Sequence, residues 1–213
     1  MSSNEATTGV DVALTSPFAA ATLGVALHDI TGEWNLQNYL GHDCYIVAAS
    51  AIIYHAVGRL GSDDATQASF KQFVERPATL CIPLLLATFT LSRGSKTYSR
   101  DFFELRTDFW LSIYWLLLCG ILVYLLVYGS RALLVLRSDP RSRRIANLYL
   151  IASASGIVGC AVRITTALIP PIQTQLGAGL VWFFSCLCGA GFALTSARAW
   201  RDKLKWFQPA LRG

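Results

Sequence analysis

Residues 164–197 contain no Asp, Glu, Lys or Arg, and the stretches 110–128 and 145–162 are equally free of them. A soluble core helix alternates apolar and charged faces, so charge-free runs of this length point to a bilayer as solvent. The rest of the composition agrees: 54% of the 213 residues are hydrophobic, 15% are charged, and the mean hydropathy is +0.45.

A helix crossing about 30 Å of hydrocarbon needs roughly 20 apolar residues. Five stretches qualify: 41–58, 77–95, 108–130, 145–168 and 175–197. The backbone of a lipid-immersed segment must satisfy its own hydrogen bonds, and none of the runs shows the alternation of a barrel strand. The expected fold class is therefore all-α, an integral membrane bundle of five helices. It is preceded by a 1–40 extracytoplasmic tail and followed by a basic 198–213 cytoplasmic tail. Residues 12–28 are also uncharged, but they are small, polar and interrupted by Pro17. They are read either as a weak sixth span or as a surface helix. With acidic residues and no basic n-region, the N-terminus reads as a retained tail and not as a cleaved signal peptide.

Lys and Arg are unevenly divided between alternate connections, thirteen on one side against four on the other. The positive-inside rule puts the thirteen in the cytoplasm, so the protein is expected in the plasma membrane as a multi-pass protein with its C-terminus inside. Four of the basic residues, Arg93, Lys96, Arg100 and Arg106, fall on the other side, interspersed with Asp101, Glu104 and Asp108. The net charge of +5 does not indicate nucleic acid, because the basic residues flank apolar runs and form no continuous stripe. The bilayer is the expected partner, with a second copy or a membrane or cytoplasmic protein as further candidates.

Arg163 is the strongly basic residue embedded in an otherwise uncharged run, and insertion at the bilayer centre costs roughly 2.5–3.5 kcal/mol. The topology puts His42, Asp43 and Asp108 at the same membrane level. Three readings follow: Arg163 snorkels to the headgroups, forms a buried ion pair with Asp43 or Asp108, or belongs to a proton- or ion-handling cluster with them. In the fourth run, Ala152-x-x-x-Gly156 and Ser155-x-x-x-Gly159 place small residues at helical spacing, a close-packing face for which Ser185-x-x-x-Gly189 is a candidate partner. The helix-packing residues are thus Gly156, Gly159 and Gly189, within one chain or across a dimer. Trp110, Tyr114 and Trp115, with Tyr124 and Tyr128 near the other end of their run, read as two aromatic belts.

No chemical activity is indicated. The six cysteines lie in or beside apolar runs, where a thiol acts as a small hydrophobe, and Cys186-Leu-Cys188 lacks a metal-ligand spacing. His28, His42 and His55 form no catalytic constellation, and there is no nucleophile elbow, HExxH or phosphate-binding loop. Neither metal nor cofactor is expected, and the chain does not read as an enzyme.

The segments ATLCIPLLLATF at 78–89, DFFELRTDFWLSIYWLLL at 101–118 and RSDPRSRRIANLYL at 137–150, with the closing RDKLKWFQP, resemble an actinobacterial multi-pass membrane family. That family is classed by name as transporters, with no function assigned. The resemblance implies about seven helices followed by a cytoplasmic region that opens on a basic, Trp-containing stretch. This chain is shorter at both ends, as a stand-alone or phage-borne relative would be, and no site residue carries over. Three functions remain open: a membrane scaffold, sensor or partner-binding component; a transporter or channel subunit; and a mobile-element protein that alters the host membrane.

Overall fold

The computed structural model describes residues 14–58, 64–140, 142–169 and 175–207, with side chains through Arg201. Among these residues the structure is helical, without strands. Two short helices, α1 (Pro17–Ala21) and α2 (Leu23–Thr31), lead into α3 (Leu36–Val57). Helix α4 (Asp64–Phe70) passes through a π turn at Lys71–Glu75 into α5 (Arg76–Leu91). A single turn, α6 (Arg93–Lys96), precedes α7 (Phe109–Leu136), α8 (Arg143–Leu168) and α9 (Gln175–Phe207).

Five helices are long and apolar enough to cross a membrane: α3, the continuous Asp64–Leu91 rod, α7, α8 and α9. They correspond to the five expected runs, with longer ends. Helix α3 starts at Leu36, and the second rod begins at Asp64, before the apolar run. Helix α9 continues beyond residue 197 through Arg198 and Arg201, so the first part of the expected tail is helical. The 12–28 stretch is divided at Thr22 into helices of five and nine residues, neither of which reaches the length of a span. Residues 12 and 13 lie outside the described residues.

Large apolar side chains face outward along the rods, among them Leu80, Leu84, Ile151, Phe183 and Leu194. That is the surface hydrocarbon favours and water does not. Helix α7 is the centre of the bundle. It packs against α3 and α5 on one side and α8 on the other, while α9 packs along α8. The buried seam of α7 reads Leu111, Tyr114–Trp115, Leu118–Cys119 and Leu125–Leu126, a helical repeat.

Proline chemistry accounts for the π turn. Pro77 has no N–H, so the carbonyl of Phe73, four residues back, loses its helical donor. The Tyr124 hydroxyl of α7 donates to that carbonyl at 2.7 Å, and Phe73 stacks with Tyr128 at 6.4 Å. Tyr124 and Tyr128 therefore fasten the second rod to α7.

The glycines of α8 set how closely it meets its neighbours. A Cβ on Gly156 would come within 2.8 Å of both Cys188 Sγ and Leu126 Cδ1, and one on Gly159 within 3.2 Å of Phe184 Cβ. Both sit at the contact with α9 within one chain. On the α9 side the tight approach is made by Gly191, whose added Cβ would meet Ala152 Cβ at 2.8 Å. Gly156, Gly159 and Gly189 all line one cavity.

Candidate functional site

The segment between α5 and α7 is a folded cap on one end of the bundle, built around Asn35. Asn35 holds a left-handed backbone (φ 59°) at the start of α3 and is buried. Its Nδ2 donates to the carbonyls of Gly94 and Thr97 at 2.7 and 2.8 Å, and its Oδ1 accepts from Ser99 N at 3.3 Å. Trp34 N adds a bond to Ser95 O. Asp101 accepts from Phe103 N through Oδ1 and from Trp182 Nε1 through Oδ2, which ties the cap to α9. These bonds hold Phe102 and Phe103, an apolar pair flanked by acids, inside the bundle.

Beneath the cap lies a cavity of about 100 Å³. Its walls come from α3 (His42, Ala49, Ile52), α7 (Trp115, Leu118, Cys119), α8 (Gly156, Cys160, Arg163) and α9 (Val181, Ser185, Gly189), with Phe103 of the cap at one end. Both α3 and α9 contribute to its walls while making few contacts with each other, and the cavity is only partly enclosed. Most of the lining is apolar. Cys119 and Cys160 both line the cavity.

Arg163 is buried at 2% exposure and points into the capped end. Its Nη1 donates to Phe103 O at 3.0 Å, and its guanidinium carbon lies 4.0 Å from the Trp115 ring centroid and 5.9 Å from that of Phe103. No ion pair joins it to Asp43 or Asp108. Asp108 is committed to capping α7: Oδ1 accepts from Leu111 N at 2.9 Å, and Oδ2 accepts from Arg93 N at 3.2 Å. Asp43 keeps one buried oxygen, Oδ1, without a hydrogen bond. The snorkelling alternative does not describe Arg163 either, since its head is covered by Phe103 and Trp115. Of the four residues read as a polar cluster, the structure brings together His42 and Arg163 only.

His42 is equally buried, with Nδ1 2.6 Å from the Tyr114 hydroxyl and its ring 5.2 Å from Trp115. A Tyr114 hydroxyl donating to Nδ1 leaves the imidazole proton on Nε2; the opposite tautomer would strand the tyrosine proton as well. Nε2 has no partner, nor do Arg163 Nε, Arg163 Nη2 and Trp115 Nε1. Tyr114 and Trp115 are therefore at the heart of the site and not in an interfacial belt, because the i, i+3/i+4 repeat of α7 turns them inward. Among the described residues, no group of three or more His, Cys, Asp or Glu is placed to hold a metal ion.

No family model, curated protein or solved structure matches this chain. Its function has to be read from the cavity itself.

Proposed function

We propose that this is a multi-pass plasma-membrane protein with a cytoplasmic C-terminus that serves as a sensing or partner-binding component, and that it takes up its ligand from the bilayer. The observation that carries this reading is the lining of the cavity, which is apolar over most of its area and only partly enclosed, with Phe103 of the cap among its walls; the sparse contact between α3 and α9 makes the gap between them the route to lipid in this reading. A transporter or channel needs a hydrated, polar path through the bundle. The lining residues at the far end, Leu126 and Phe192, are apolar, and the adjoining void beside Gly129 and Leu133 is a further 10 Å³ of apolar space. The orientation rests on the division of Lys and Arg between the two ends.

Ala49, on the cavity wall, reports what reaches the site. Ala49→Cys in a cysteine-free protein should react with a membrane-permeant maleimide delivered through lipid and resist a charged methanethiosulfonate added from either side. Rapid reaction with the charged reagent would replace this reading with an aqueous pathway.

A further inference from the structure

The unpartnered nitrogens at the capped end specify more than an apolar ligand. Arg163 uses Nη1 for Phe103 O, which leaves Nε and Nη2. These two share one edge of the guanidinium, and their N–H bonds run parallel, the fork that grips both oxygens of a carboxylate. His42 Nε2 belongs to the same cavity, again buried and without a partner. Asp101 contributes an attractive field to Arg163, but both of its oxygens are engaged by Phe103 and Trp182. A buried cation with a free fork in an apolar setting is a strained arrangement that an anion would relieve.

From this geometry we infer that the cavity is the headgroup site of a single-chain carboxylate amphiphile, such as a long-chain fatty acid. The carboxylate sits on the Nε/Nη2 edge of Arg163 and accepts from His42 Nε2. The chain runs past Ala49, Leu118 and Gly156 and leaves between α3 and α9 into the bilayer. A cavity of about 150 Å³ takes up benzene, so about 100 Å³ holds the carboxylate and the first few methylenes, the rest of the chain lying in the bilayer, and the bulkier branched phosphodiester headgroup of a diacyl lipid does not fit.

The inference rests on the reading of the cavity as open to lipid, and its test is independent of that reading. Radiolabelled oleate binding to the purified full chain in detergent is measured in competition with unlabelled oleate, oleyl alcohol, methyl oleate and phosphatidylglycerol. Oleate should bind saturably, the alcohol and ester at least about tenfold more weakly, and phosphatidylglycerol should not displace it. Because the neutral analogues are compared on the unaltered protein, no variant needs to fold for this comparison. Arg163→Lys, which keeps the charge and loses the fork, should weaken oleate about tenfold or more while leaving the alcohol unchanged. Equal binding of oleate and oleyl alcohol, absence of saturation, or displacement by phosphatidylglycerol overturns the proposal. Charged-reagent access at Ala49→Cys alongside selective oleate binding would reject the bilayer route and keep the carboxylate site.

Discussion

The guanidinium of Arg163 lies over the ring of Trp115, 4.0 Å from its centroid, in a part of the bundle where neither side chain is more than 2% exposed. A cation desolvated against an indole face gains about 2 kcal/mol or more, comparable to the cost of placing an arginine in a membrane. Trp115→Leu should therefore lower thermal stability in detergent more than Trp115→Phe does. Equal losses would mean that the ring only fills space.

The close approach of α8 and α9 predicts a second outcome. Gly156→Val forces a side chain against Cys188 and Leu126 and should cost about 1–3 kcal/mol, whereas Gly179→Ala, with nothing within 4 Å, should be neutral in the same melting assay. Gly156→Cys places a thiol beside Cys188. Mild oxidation should close an intramolecular disulfide, visible as a monomer of altered mobility on a non-reducing gel. A covalent dimer would assign this face to contact between copies.

Asn35 combines a left-handed backbone with three side-chain bonds into the cap. Asn35→Ala loses the bonds and adds roughly 1–2 kcal/mol of backbone strain, while Asn35→Gly loses the bonds alone. Limited proteolysis between residues 92 and 108 should be fastest for the alanine variant, intermediate for glycine and slowest for the natural residue.

The division of basic residues makes a topological prediction. With single cysteines in intact cells, Ser99→Cys and Gln173→Cys should react with an impermeant reagent from outside, and Ser62→Cys and Ser142→Cys should not. Labelling at 62 or 142 would invert the assigned orientation.

The five rods were legible because a bilayer imposes a length and an absence of charge that hydropathy reads directly. Their ends were less so. The Asp64–Phe70 helix is mostly polar, with no buried residue and with Lys71, Glu75 and Arg76 following, and its continuity with α5 through the Pro77-linked π turn joins it to a span. In the site, the burial penalty correctly drew attention to Arg163, but spacing alone could not exclude Asp108 as its partner. Asp108 immediately precedes a helix, and the stronger local demand of the α7 N–H groups claims its carboxylate. Aromatics at a span end are usually interfacial, which is why Trp115 and Tyr114 read as a belt in the sequence, but Leu111, Trp115, Leu118 and Leu122 share one helical face. Phe103 gave one usable signal, an apolar pair among acids in a polar connection. Its role depends on Asn35 and Trp182, distant in sequence, and no local pattern encodes that.

In the proposed function the chamber around Trp115 communicates with lipid and not with water. A variant retaining Trp115 as its single tryptophan, the others replaced by Phe, is reconstituted in vesicles and its fluorescence is quenched in parallel by brominated lipid chains and by aqueous iodide. Strong quenching by the brominated chains and almost none by iodide is the expected result. Strong iodide quenching with little effect of brominated lipid would contradict it.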